Sequence, residues 1–195
     1  MSTQRSLSFL FLGAAAFALF GTLLSSGCSS PIPNRNPVGE AFPKVTGNSL
    51  EKVEIELPGS LVGQPAVLLV GYQQKTQFDI DRWLLGLLQS GADVQILELP
   101  TIPSLVPTLI SGWIDDGMRS GIPVEDWGVV VTLYGSAAKP VARFTGTENA
   151  RNTRVLVLDE AGRVIWFDDS GYSASKVLEI ASLLESSGAG ERAGS

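Results

Sequence analysis

The chain has 195 residues, with 20 Asp and Glu against 14 Lys and Arg, one Cys and no His. Without an imidazole, neither Ser-His-Asp nor Cys-His nucleophilic machinery can be assembled. One Cys excludes an intrachain disulfide and leaves a structural zinc site three ligands short, so no metal or cofactor is expected.

Arg5 is the first charged residue, and the 18 residues from Leu7 to Leu24 are uncharged and mostly apolar, followed by Ser25-Ser26-Gly27-Cys28. A basic start, an apolar stretch and a small-residue zone have the order of a secretory signal peptide. An uncleaved membrane-spanning helix is the other reading of the same run, because 18 apolar residues is the lower limit for crossing a bilayer. Both place the body of the protein outside the cytoplasm. The small residues before the single Cys, with Leu24 and Gly27, resemble the lipobox of bacterial lipoproteins. By that resemblance residues 1–27 are removed, Cys28 carries the acyl chains and becomes the first mature residue, and the bilayer is a partner through it. Ser29 after the Cys resembles the sorting pattern for the outer membrane of a Gram-negative envelope. The part after residue 27 carries 13 basic and 20 acidic residues, with no two basic residues adjacent, so nucleic acid is not an expected partner.

Residues 28–41 contain three prolines and few apolar side chains, and are expected to form a tether. Residues 42–185 are long enough for one domain with its own core, and the Ser/Gly/Ala-rich residues 186–195 read as a disordered tail. Within the domain, Lys52 to Leu57 alternates polar and apolar as a half-buried strand does, whereas Ala66 to Tyr72 is apolar throughout, as in a strand covered on both faces. Ile80, Trp83, Leu84, Leu87 and Leu88 then recur at helical spacing, with Thr76 as a candidate cap and Gly91 as a stop. Val94 to Leu99 is a second apolar strand, so this stretch reads as a right-handed βαβ unit. A second helix is expected over Ser104 to Asp116, closed by Gly117, with Trp113 on its core side, followed by a strand over Trp127 to Tyr134 and a short one at Val141 to Phe144. Arg154 to Leu158 and Arg163 to Phe167, joined by Asp159-Glu160-Ala161-Gly162, read as an antiparallel hairpin. Ser173 precedes a final helix with Val177, Ile180, Ala181 and Leu184 on one side.

This order, an α/β sandwich with a mixed sheet, a parallel βαβ unit and a C-terminal hairpin plus helix, resembles the thioredoxin-like superfamily. The stretch from Val155 to Trp166, with its Asp-x-x-Gly turn, is similar to the hairpin of peroxiredoxins, periplasmic thiol-disulfide proteins and Sco-type copper chaperones. Trp166, the small residues Ser170 to Ala174 and the following helix also resemble the C-terminal part of mitochondrial ATP synthase assembly factors. Redox members of the superfamily carry cysteines in the loop after the central strand. Here that loop is Gly71-Tyr72-Gln73-Gln74-Lys75-Thr76-Gln77. Lys75 and Asp79 fall where the copper chaperones have cysteines, and Asn152-Thr153-Arg154 stands where the family places a cis-proline.

Thiol redox, peroxide reduction and copper delivery therefore lack their residues, and the expectation is a non-enzymatic, protein-binding or assembly module of the cell envelope. The alternative is a non-redox enzyme or a carrier of a small ligand. Either would use a crevice formed by Tyr72, Gln73, Gln74 and Lys75 with Asn149, Asn152 and Thr153, at the carboxyl end of the central strand, where α/β sheets place their ligands. Asp79 and Asp81 are expected on a solvated helix face. Arg119 is a lone cation, either paired to a carboxylate or anchoring a ligand.

Overall fold

The computed structural model describes residues 30–192. Residues 1–27 and Cys28 lie outside the described residues. No helix among the described residues is long and apolar enough to cross a membrane.

The core begins with β3 (Ala66–Gly71), every residue of which is buried. Val67 and Leu69 point to one side of the sheet, and Leu68 and Val70 to the other. A strand with core on both faces cannot alternate apolar with polar residues, which is why its sequence shows an unbroken apolar run. β3 pairs in parallel with β4 (Gln95–Ile102) through α1 (Gln77–Ser90), and β4 pairs in parallel with β5 (Val131–Tyr134) through α2 (Thr108–Gly121). On the other side of β3, β6 (Arg154–Leu158) and β7 (Val164–Asp168) form the expected antiparallel hairpin, its turn closed by Gly162 at φ 76° and by the Asp159 carboxylate, which accepts the Ala161 and Arg163 N–H groups. Two further antiparallel strands, β1 (Val45–Ser49) and β2 (Glu54–Leu57), complete a seven-stranded sheet of order β2-β1-β5-β4-β3-β6-β7.

One face of the sheet carries α1 and α4 (Ala174–Arg192), packed through Ile80, Trp83, Leu87, Val177 and Ile180. Trp83, fully buried, meets Trp166 and Tyr172 edge to face at ring separations of 6.1 and 5.6 Å. The other face is covered by α3 (Ala138–Thr145), where Val141 and Phe144 pack with Phe42, Leu97 and Leu133.

Several sequence expectations differ from this arrangement. Val141 to Phe144 is helix, because Ala138, Val141, Ala142 and Thr145 are buried at helical spacing and Pro140 falls in the first turn, where its missing N–H costs nothing. β1 was not expected: its inward residues Val45, Gly47 and Ser49 are mostly small or polar, and give no apolar signature. α2 begins directly after Pro107 and runs past Gly117 to Gly121. Its Trp113 is 77% exposed and not in the core, because the helix docks by its polar side: Asp115 accepts the Tyr134 hydroxyl at 2.7 Å, and Arg119 donates from Nε to the Leu50 carbonyl at 2.7 Å. Arg119, also bonded to Asp116 and lying over the Trp127 ring, is thereby a structural cation. Trp127 belongs to a 3-10 turn over Val124–Val129 and precedes the strand.

Both ends of the domain extend further than their composition suggests. From Ile32 the segment expected to be a tether is bonded to the domain: Ile32 and Thr147 exchange hydrogen bonds, the Gly39 N–H donates to the Val164 carbonyl, and Pro37 is buried. At the other end the backbone stays helical to Arg192, through residues expected to be disordered. Once Val177, Ile180 and Leu184 have seated that helix, each added residue gains a backbone hydrogen bond without a new nucleation step.

Candidate functional site

The three parallel strands end at one edge of the sheet, and the candidate crevice lies there. After β3 the chain passes through Tyr72 into a 3-10 turn, Gln74–Thr76, and then directly into α1. The turn is closed by a reciprocal box: the Gln73 side chain accepts the Thr76 N–H while the Thr76 hydroxyl accepts the Gln73 N–H. Thr76, fully buried, also donates its hydroxyl to the Ala150 carbonyl at 2.7 Å. The cap expected at Thr76 thus closes the 3-10 turn, and makes no side-chain cap to α1. Its second bond ties the turn to the loop that precedes β6.

Asp79, in the first turn of α1, is 5% exposed and does not lie on a solvated face. One carboxylate oxygen accepts the Thr153 N–H and the other the Tyr172 N–H, both at 3.0 Å, and Arg82 bridges it at 3.1 Å. The positive end of α1 favours a carboxylate there. Position 79 therefore clamps three segments: the helix, the loop before β6 and the loop before α4.

Below the crevice lies Arg154, fully buried at the start of β6. Nη1 donates to the carbonyls of Asn149 at 3.1 Å and Asn152 at 2.9 Å, and Nη2 to the Asn34 side chain at 2.9 Å and to the Glu148 carbonyl. Its guanidinium lies 5.4 Å from the Tyr72 ring centroid. Burial lowers its pKa, an effect opposed by Tyr72, Asp169 and Glu148. Tyr72, whose hydroxyl is bonded to Thr145 at 2.7 Å, is pushed up to about 12 by burial, against that bond and the nearby Arg154 charge, and stays protonated at neutral pH. Asn34 also donates to the Asp169 carboxylate at 2.7 Å, so the segment before β1 forms part of the wall.

The open cleft above this frame has a volume of about 520 Å³ and is lined by Gln73, Asn149, Ala150, Arg151 and Asn152. Of the residues expected here, Gln73, Asn149 and Asn152 meet at its wall. Gln74 and Lys75 are exposed on the adjoining turn and outside the lining, while Tyr72 and Thr153 lie beneath it as supports. Cys28 lies outside the described residues. Thr76 is expected only as a helix cap, and Arg151, Arg154 and Asn34 are not among the residues expected at the crevice. A charged residue opening an apolar strand, as Arg154 does, is the only one of these with a signal in the sequence. The cleft offers amide donors and acceptors and an exposed cation. It offers no thiol or imidazole, and no group of three metal-ligating side chains occurs among the described residues.

No protein-family model matches the chain, and no curated protein matches it. Solved structures do. The fold is similar to that of yeast Sco1 with copper bound (TM-score 0.55, 12% identity, 78% of this chain and 95% of that one). It is also similar to a SCO1/SenC family lipoprotein from Bacillus anthracis (0.52, 12%, 78% and 99%) and to a peroxiredoxin-like protein from Aquifex aeolicus (0.51, 11%, 80% and 91%). The chain has a thioredoxin-like fold, and identities this low speak for the fold alone.

Proposed function

We propose that this chain is a lipid-anchored, redox-inactive thioredoxin-like domain that serves as a protein-binding or assembly module at the cell envelope, with the turn Gln73-Gln74-Lys75 and the wall Asn149, Arg151 and Asn152 as its contact surface. The observation that carries this reading is the chemistry at the carboxyl end of β3. By the resemblance above, Lys75 and Asp79 fall where the copper chaperones carry cysteines: Lys75 is an exposed cation, and Asp79, like its neighbour Thr76, is committed to internal bonds, Asp79 to Thr153 and Tyr172 and Thr76 to Ala150. Above them remain exposed amides and cations, which recognise polar or acidic protein surfaces and provide no thiol. Anchoring rests on the lipobox-like sequence before Cys28, and it agrees with the lipoprotein status of the Bacillus anthracis protein of similar fold.

The test is in-cell crosslinking of the membrane-bound protein, followed by affinity capture and mass spectrometry, beside a Gln73→Ala/Gln74→Ala/Lys75→Ala variant. A defined envelope complex held by the native chain and lost in the variant is the expected result. A complex retained by the triple variant, or none in either protein, sinks the reading.

A further inference from the structure

The most prominent unassigned surface is the outer side of α2. Leu109 and Trp113, one helical turn apart, are 88% and 77% exposed, and Leu105, in the loop leading to the helix, is 87% exposed. The helix is held to the domain from its other side, through Asp115 to Tyr134 and Arg119 to Leu50, so this row is not spare core. A group of large apolar side chains turned to solvent marks a contact surface.

Its place in the fold indicates what covers it. β3 and β4 are parallel, so the loop that carries Leu105 and the start of α2 lie at the same sheet edge as the Gln73 turn. The Gly135 N–H donates to the Ile102 carbonyl at that edge. Ile32 and Asn34 are fixed at the same edge, to Thr147 and Arg154. Cys28 stands four residues before Ile32. Even fully extended, that length of chain spans only about 14 Å.

We infer that, in the protein acylated at Cys28, the bilayer that holds the acyl chains also receives Leu105, Leu109 and Trp113, so that the domain lies with the edge bearing the start of α2 against the membrane. The inference rests on the lipid-anchor reading above. The negative charge of the chain gives no attraction to anionic headgroups, so the contact is apolar. It needs little intrinsic affinity, because the anchor makes it an intramolecular event at high effective concentration.

The test uses full-length protein expressed with its leader and purified from membranes, carrying Leu109→Cys or, as a control, Val53→Cys. Val53 is exposed beside Ser49, which pairs with the first residue of β5 at the opposite edge. Acylation blocks the Cys28 sulfur, so an environment-sensitive thiol dye labels the new site alone. In phosphatidylcholine vesicles containing nitroxide lipid, the dye at 109 is expected to shift to shorter wavelength and to be quenched several-fold more strongly than the dye at 53. Equal, weak quenching at both sites overturns the inference while leaving the anchor intact. A shift at 109 that also grows with concentration in vesicle-free Cys28→Ala/Leu109→Cys protein overturns it in favour of a second copy of the chain. Mass spectrometry showing no acyl group on Cys28 overturns the anchor reading itself.

Discussion

The Asp79 carboxylate accepts the backbone N–H of Thr153 at 3.0 Å, across the carboxyl edge of the sheet. Its second oxygen accepts the Tyr172 N–H, so one side chain at the start of α1 fixes the loops before β6 and before α4. Position 79 is thus a joint between these elements. The behaviour of that joint, and of the frame around it, can be measured.

Asp79→Ala leaves two N–H groups without their acceptor at a site that is 5% exposed. A loss of about 3 kcal/mol is expected in urea unfolding, and Asp79→Asn, which keeps one acceptor oxygen, is expected to lose about 1 kcal/mol. Equal stabilities for the two variants would contradict the acceptor role.

Arg154→Met removes the donor group that gathers the carbonyls of Glu148, Asn149 and Asn152 together with Asn34. The expected cost is about 3 kcal/mol, with faster amide exchange confined first to residues 147–153 and 32–34. Uniform exchange across the sheet would show that Arg154 does not organise this loop.

Gly146 sits at φ 76° and ψ 168°, a conformation essentially restricted to glycine, and a Cβ there would stand 2.3 Å from the Asn34 Cα. Gly146→Ala is expected to cost about 2 kcal/mol and to expel the segment around Pro33 and Asn34, read as new proteolytic cleavage before Phe42. A variant as resistant to protease as the native chain would show that this segment is not held by the close approach.

Glu98, buried on β4, has its pKa raised, chiefly by burial and further by Asp81 and Asp126, against the Gln77 hydrogen bond. Since the folded state holds this proton more tightly than the unfolded chain, its ionisation at neutral pH costs stability. That cost disappears as pH falls through the folded pKa towards the unfolded value near 4.5. Glu98→Gln is therefore expected to be more stable than the native chain at pH 7, with the difference shrinking on acidification. A difference independent of pH would place the effect in packing.

How much of this could be read from the sequence depends on how each element earns its burial. β3 and the β6-β7 hairpin announce themselves, the first by an unbroken apolar run and the second by Asp159 and Gly162 in a turn that needs a positive φ. β1 does not, because Gly47 faces inward only through a close approach to Thr132 and Leu133, a tertiary demand with no local pattern. The apolar stripe of α2 was visible but its direction was not, since Asp115 and Arg119 fix the helix from the polar side. At the site, Gln73, Asn149 and Asn152 were legible as polar residues at a strand's carboxyl end. The burial of Asp79 and Asn34 was not, because a charged or amide side chain buried on backbone groups looks the same in sequence as one in solvent, and for Arg154 the only signal is its place at the start of an apolar strand.

The central claim is that the surface around the Gln73 turn binds a protein partner. Its most direct test is a photo-crosslinking residue placed at Gln74 in the membrane-bound protein, with the same residue at Val53 as the comparison. Both positions are exposed, and they lie at opposite edges of the sheet. The account predicts a discrete crosslinked species from position 74, absent from position 53, and abolished when Gln73 and Lys75 are changed to Ala. The same species from both positions, or none from position 74, would contradict it.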